Sequence, residues 1–498
     1  MRRSTAWRGD GHGTALIRSQ PFRLEQNNDS KTSPTLGLEY TTSLNMGPLS
    51  ANFTLDEADS RLMLVEPQCA LCRCGATREK GERTMRVTLW TPFFLLFPSI
   101  PALSQTPCVP TGTGVCRYVS ATGSDSNDGL SRATPKKTIG TTVNASNPGD
   151  EIIVLAGTYN CANQPGVTSC TGGENSRSKL VNVTASGTPA SPIVIVCDSY
   201  LACKIDGAGN STATGFEMTG SYITVRNFEI EGFTDNGWEN WDGGTNVVAN
   251  RNWIHNIGRY CMTTAIGRDG LFVRYSNVTI TQNMIADIGR YDAGEDGCTA
   301  TLYNHDHGIY MVLGPNNVLV ANNVFYRTER GWAIQIYNGS STNISIFNNT
   351  FVSSDARSGA AGGHIVVAAS VSNLLIENNI SYHPNTWFVN AWSGSVTGNI
   401  ANNIIYGTSS VTSSLSSGFS LTITGNFVNT DPKLASVGRS VLDNPSGPDA
   451  HLTSASPAIK PGLTLAAVPV DFDGIPRIPG PYDIGSYAYA ESTKLALP

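Results

Sequence analysis

The feature that most limits what this chain can fold into is a short apolar run, closed by asparagine, that recurs along its second half. It appears at residues 223–227 (ITVRN), 278–283 (VTITQN), 318–323 (VLVANN), 344–349 (ISIFNN) and 374–379 (LLIENN), and Asn252, Asn403 and Asn426 close similar runs. From Asn227 onward the successive asparagines are 25, 31, 40, 26, 30, 24 and 23 residues apart. Within each run the apolar residues alternate, as in a strand with one buried face. A unit this short cannot bury such a face alone, so the units must stack, each shielding the next. Asparagine at a strand end tolerates the left-handed conformation. Its amide can also reach the same residue one coil away, so the repeat predicts a ladder of asparagines.

A second apolar strand precedes several of these runs, at residues 270–274, 308–311, 333–336, 364–367 and 387–390. Two or three short strands per coil predict an all-β chain, a right-handed parallel β-helix of the β-solenoid type. Composition agrees. Glycine accounts for 50 of 498 residues, and only 14% are charged, which suits many turns and few solvated helices. Apolar residues at 40% supply a core and exclude disorder. The net charge of −6 offers no basic field for nucleic acid. The 31- and 40-residue intervals hold longer loops, and in a solenoid such loops carry function.

Residues 1–84 show no sustained period. Met85 and Arg86 then lead into an apolar stretch from Leu89 to Ile100 and a small-residue site near Ser104, the form of an export signal. The stretch is too short to span a bilayer. The reading is that residues 1–84 lie upstream of the true start, 85–104 are a signal peptide, and 105–498 form one secreted β-helix domain, a monomer with no membrane span. A real N-terminal extension is the alternative. Eight cysteines follow the signal, and an even number in an exported chain suggests disulfides. The natural local pairs are 108–116, 161–170, 197–203 and 261–298.

Residues 118–129 (YVSATGSDSNDG), 134–139 (TPKKTI) and 147–159 (NPGDEIIVLAGTY) resemble the opening segment of secreted pectate-lyase-like β-helix proteins. Residues 456–459 (SPAI), 471–477 (DFDGIPR) and 483–487 (DIGSY) resemble their closing segment. The resemblance spans about residues 117–490. It implies the architecture and export, but not the reaction, because this fold hosts lyases, hydrolases, epimerases and non-catalytic proteins. Residues 307–310 (HGIY) also resemble a stretch in alginate-type C5-epimerases, whose acid–proline–histidine–acid signature this chain lacks.

The richest stretch for chemistry runs from Asp292 to Tyr310, inside the 40-residue interval. If Ile309 and Met311 face the core, alternation turns Gly308, Tyr310 and Val312 outward. Phe272 and Arg274 then share those columns one coil earlier, and Gln335 and Tyr337 one coil later. β-Elimination of a polyuronate needs a group that neutralises the carboxylate, a base for the C5 proton and an acid for the leaving oxygen. No lysine occurs from 205 to 432. The assignment is therefore His305 or His307 as base, Tyr310 as acid, and Arg274 or Arg330 on the carboxylate. Phe272, Gln335 and Tyr337 would bind sugar. Ca²⁺ held by Asp292, Glu295 or Asp296 could share the carboxylate role. A hydrolase would need two flanking carboxylates, with Asp306 a further candidate. The expected partner is an acidic polysaccharide and the expected activity that of a lyase. The alternatives are a glycoside hydrolase, an epimerase, or a non-catalytic carbohydrate-binding or surface protein. His255, His364 and His383 read as structural, and Trp238, Trp241 and Trp253 as sugar platforms or loop packing.

Overall fold

The computed structural model describes residues 107–164, 175–261, 266–291, 293–299, 305–328, 331–352, 362–437 and 449–489. It also traces the short strands Leu38–Tyr40, Leu49–Ala51, Thr54–Leu55 and Leu62–Met63. The chain divides into two compact units, Met1–Pro98 and Ser99–Pro498. The four leading strands form two antiparallel pairs. The predicted signal at 85–104 lies outside the described residues. Among the described residues no helix is long and apolar enough to cross a membrane.

The second unit is a right-handed parallel β-helix with three strands in each complete coil. One face stacks Lys179–Val183, Thr214–Met218, Asn236–Glu239, Asp269–Val273, Asp306–Val312, the first parts of Gly331–Phe347 and Gly363–Glu377, and Val389–Ser393. The second face carries the repeated runs, in parallel register from Ile193–Cys197 to Phe419–Thr424. The third stacks ten short strands from Gly157–Tyr159 to Phe427–Val428. Alternation on the second face sends Ile223, Val247, Val278, Val318, Ile344 and Leu374 into one interior column, all essentially inaccessible. The short helix Ile139–Asn144 packs Ile139 and Val143 into the first coils.

The asparagine ladder is present, at the corner between the second and third faces. Asn252, Asn283, Asn323, Asn349, Asn379, Asn403 and Asn426 are linked Nδ2 to Oδ1 at 2.9–3.1 Å. Each Oδ1 after the first also accepts the backbone N–H of the preceding rung. One expectation needs correction: the ladder asparagine is not the left-handed residue. Positive φ falls on its predecessor, namely Arg251, Gln282, Asn322, Asn348, Asn378, Asn402 and Gly425. Asn227 has that predecessor's conformation, at φ 69°, and Phe228 takes the ladder position in its coil. The doubled asparagines thus divide two tasks. The first turns the chain and the second ties the coils. The first also docks the closing segment, since Asn322, Asn348, Asn378 and Asn402 donate to backbone carbonyls of Val470, Asp483, Leu463 and Pro461.

A second correction concerns Gly308, which faces inward. A Cβ there would lie 2.6 Å from the Ala333 carbonyl and 3.2 Å from the Phe325 ring. Gly215, Gly237 and Gly270 occupy the same interior column one coil apart, each crowded by the next coil's backbone. Two consecutive residues, Gly308 and Ile309, therefore point inward at this corner, and strict alternation fails there. The disulfides 108–116, 197–203 and 261–298 are formed. Cys161 is disulfide-bonded too, while Cys170, its expected mate, lies outside the described residues. His364 is buried, bonded to Ser381 at 2.8 Å and stacked on Phe351.

Candidate functional site

The outward side chains of the first face line a groove of about 800 Å³. Parallel register arranges them in columns. Thr214, Asn236, Asp269, His307 and Trp332 form one. Glu217, Glu239, Phe272, Tyr310, Gln335 and Val366 form the next. The loops of the two long intervals supply Ile266, Gly267, Arg268 and His305 to the wall, and the Cys261–Cys298 disulfide joins those loops.

Asp306 anchors the stretch between the two histidines. It is fully buried and takes Nε and Nη2 of Arg290 at 2.8 and 2.7 Å, plus the backbone N–H groups of Arg290 and Arg268 at 3.0 Å. These bonds occupy its oxygens, so Asp306 is a positioning group rather than a free acid. His307 is buried too, and desolvation lowers its pKa to about 3. Its Nδ1 accepts the Trp332 N–H at 3.2 Å, which leaves the proton on Nε2. His305 is exposed, and the partial desolvation of its side chain and the Arg290 charge lower its pKa. It is neutral at pH 7 and able to accept a proton. Desolvation raises the Tyr310 phenol, so this group keeps its proton.

Two carboxyls in the groove are held away from ionisation. Asp269 is fully buried, and desolvation followed by the Asp306 charge raises it well above the carboxylate range. Among the described residues its Oδ1 finds no hydrogen-bond partner. Glu239 is raised by burial and by its hydrogen bond to Glu217. Lys179 lies 2.9 Å from both Glu217 and Asp242. The Gln335 Oε1 is a further buried acceptor that finds no partner among the described residues. Arg268 pairs with Asp235 at 3.0 Å, and Arg177 meets Asp242 at 3.3 Å and lies over Trp241.

Of the residues singled out from sequence, His305, His307, Tyr310, Phe272, Gln335 and Tyr337 all line this groove. Arg274 sits beside it, its guanidinium over Trp241 and donating to the Trp241 carbonyl. Arg330 and Asp292 lie outside the described residues. Glu295 is 3.7 Å from Arg259, and neither it nor Asp296 is in the groove lining. Trp241 lines the groove, Trp238 is core, and Trp253 packs with the closing segment. Sequence reasoning missed Arg177, Arg268, Asp269, Glu239 and Trp392. A signal for Asp269 existed. Thr214-Gly215, Asn236-Gly237, Asp269-Gly270 and His307-Gly308 repeat one pattern, an outward residue before an obligatory inward glycine.

The fold is that of a right-handed parallel β-helix with a groove along its first face. Residues 117–295 match the family model of the Pel9A-like right-handed β-helix region. Among solved structures, the chain is similar to pectate lyase Pel9A at 16% identity, covering 76% of this chain and 98% of that one, with a TM-score of 0.40. It is also similar to a rhamnogalacturonan lyase, at 17% identity, 64% of each chain and a TM-score of 0.30. A third likeness is to a mannuronic acid-specific polysaccharide family 6 lyase from human gut microbiota, at 12% identity, 58% and 79% coverage and a TM-score of 0.29. No curated protein matches.

Proposed function

We propose that the protein is a secreted polysaccharide lyase that cleaves a uronate-containing polymer by β-elimination in this groove. The observation that carries the reading is the gathering of His305, His307, Tyr310, Arg268 and Arg177 on one aromatic-lined wall. His305, neutral and accessible, takes the C5 proton. Arg177, exposed at the groove edge, faces the sugar carboxylate and makes that proton more acidic, and Arg268, buried in the lining and paired with Asp235, adds its charge from within the wall. His307 donates from Nε2 to a sugar oxygen. Tyr310, still protonated, donates to the leaving oxygen, and the neutral Asp269 carboxyl is a second donor on the same wall. Phe272, Gln335 and Tyr337 hold the rings on either side.

Relatives of this fold imply Ca²⁺. Among the described residues, one set of three potential ligands comes close enough together to hold an ion: Glu229, Glu231 and His255. It lies on the third face, where the Lys204 ammonium already sits 3.3 and 2.7 Å from the two carboxylates. The groove carboxyls do not gather in this way, and no step is assigned to calcium. A hydrolase is less well supported. Glu217 and Glu239 share a hydrogen bond, closer than the roughly 5 Å between the carboxyls of even a retaining enzyme.

The test uses the chain from Gln105 with its disulfides intact, incubated with polygalacturonate, alginate, glucuronan and glycosaminoglycans, with Ca²⁺ or chelator. Ultraviolet absorbance from an unsaturated product, abolished in His305→Ala, is expected with one polymer. Absence of that absorbance together with new reducing ends would replace the lyase by a hydrolase. Neither signal with any polymer would leave a binding protein.

A further inference from the structure

The aromatic wall of the groove has a break. Trp241, Phe272, Tyr310 and Tyr337 follow one another coil by coil, with ring centroids 4.8, 5.4 and 6.2 Å apart. Tyr337 stands one outward position over from Tyr310, opposite Val312, and its own column continues with Ala368 and then Ser393, so the outer side of the Tyr337 ring is left uncovered. Val366 stands beside Ala368 in the lining. The next aromatic is Trp392, in the coil after that.

Trp392 reaches the groove through a backbone irregularity. Val367 pairs with Ala391 and Ala368 with Ser393, so the register shifts and Trp392 is the extra residue. A bulge of this kind re-aims one side chain, and bulges are over-represented beside binding sites. The indole is 57% exposed and lines the groove. Three aromatic side chains are more than a third exposed among the described residues, namely Tyr200, Tyr337 and Trp392. Tyr200 lies under the Arg251 guanidinium. The other two flank the break.

Tyr337 and Trp392 are two coils apart, about 10 Å at the usual strand spacing. A ring held in van der Waals contact on both faces needs about 7–8 Å. The floor between them, Val366 and Ala368, is apolar and small, as the C–H face of a sugar ring requires. We propose that Tyr337 and Trp392, above Val366 and Ala368, form an outlying pyranose-binding subsite for a polysaccharide chain running along the β-helix axis. The floor of this subsite lies two coils from His307 and Trp392 three, about 10 and 14 Å away, so its far side grips polymer rather than the bond being broken. The inference rests on the groove being a polysaccharide site, and does not depend on the reaction.

The experiment is affinity electrophoresis through gels containing polygalacturonate, alginate or hyaluronate. It is supported by tryptophan-fluorescence titration, and compares wild-type protein with Trp392→Ala and Trp392→Phe. At least one polymer should retard the wild-type protein. Trp392→Ala should bind that polymer roughly tenfold more weakly, as expected for loss of one stacking platform, while Trp392→Phe keeps most of the affinity. Equal retardation of Trp392→Ala and wild type would overturn the subsite, as would no retardation of the wild type by any of the three. Ultraviolet-absorbing product with unchanged Trp392→Ala binding would remove the subsite and leave the lyase. Trp392-dependent binding without product would remove the lyase and leave the subsite.

Discussion

Replacing Asn349 by alanine tests what holds the coils together. Asn349 is a central rung and is fully buried. Its Nδ2 donates to the Val320 carbonyl at 2.9 Å and to Asn379 Oδ1 at 3.0 Å. Its Oδ1 accepts from the Asn323 backbone N–H at 2.9 Å and from Asn323 Nδ2 at 3.0 Å. Alanine removes all four. Asn323 Nδ2 still reaches the Ile280 and Ala321 carbonyls, and Asn379 Oδ1 still accepts the Asn349 N–H. The Asn323 N–H and the Val320 carbonyl lose these partners away from water, at about 1–3 kcal/mol each. The two weaker losses add roughly 1 kcal/mol between them, giving about 3–7 kcal/mol in total. That is a large share of the 5–15 kcal/mol typical of a domain. Asn426 is the control. It makes similar bonds as the last rung but is half-exposed, so water replaces what Asn426→Ala removes, and the loss should be about 1 kcal/mol. The assay is urea unfolding followed by circular dichroism, with proteolysis to detect partial opening, because stacked repeats need not unfold in one step. Equal losses in the two variants would refute the reasoning.

Three further outcomes are expected. The acid limb of kcat/KM should report His305, whose pKa is lowered by burial and by Arg290. Activity should fall as pH drops through a value below 6.5, and His305→Gln should remove that limb with a 10²–10⁴-fold loss. The His451 ring nitrogens face Asp473 at 2.9 Å and Asp449 at 2.6 Å, which raises its pKa to about 9. Its stabilisation is therefore complete below about pH 6.5 and lost as pH rises through 9. With the side chain 48% exposed, screening reduces the effect to about 1 kcal/mol, so His451→Gln should melt lower than wild type at pH 6 and together with it at pH 10. Asp306→Ala removes the buried carboxylate that meets the Arg290 guanidinium at 2.7 Å and should cost about 3–5 kcal/mol, lowering the urea midpoint. Asp306→Asn should recover part of that loss.

The repeat made the β-helix legible from sequence, because alternating apolar residues at a regular pitch have one way to bury themselves. It also supplied the register that carried Phe272, Tyr310, Gln335 and Tyr337 to one wall. The left-handed asparagines were displaced by one residue, since turning the chain and bonding the next coil are separate tasks that a pattern of adjacent asparagines does not distinguish. Gly308 was turned the wrong way because alternation assumes a flat strand, and a corner breaks it.

Periodicity, composition and cysteine spacing are local properties; they determined the coil and the ladder, and they suggested the local cysteine pairs, three of which the structure shows as disulfides. The electrostatic character of the groove is not local. Asp269 is pushed above the carboxylate range by burial and by Asp306, 37 residues away in sequence. His307 is locked by the Trp332 amide of the next coil, and Trp392 is aimed by a bulge against a strand two dozen residues earlier. Burial and pairing between coils arise only when the chain has wound, and they decide which groups can move a proton and which hold the others in place.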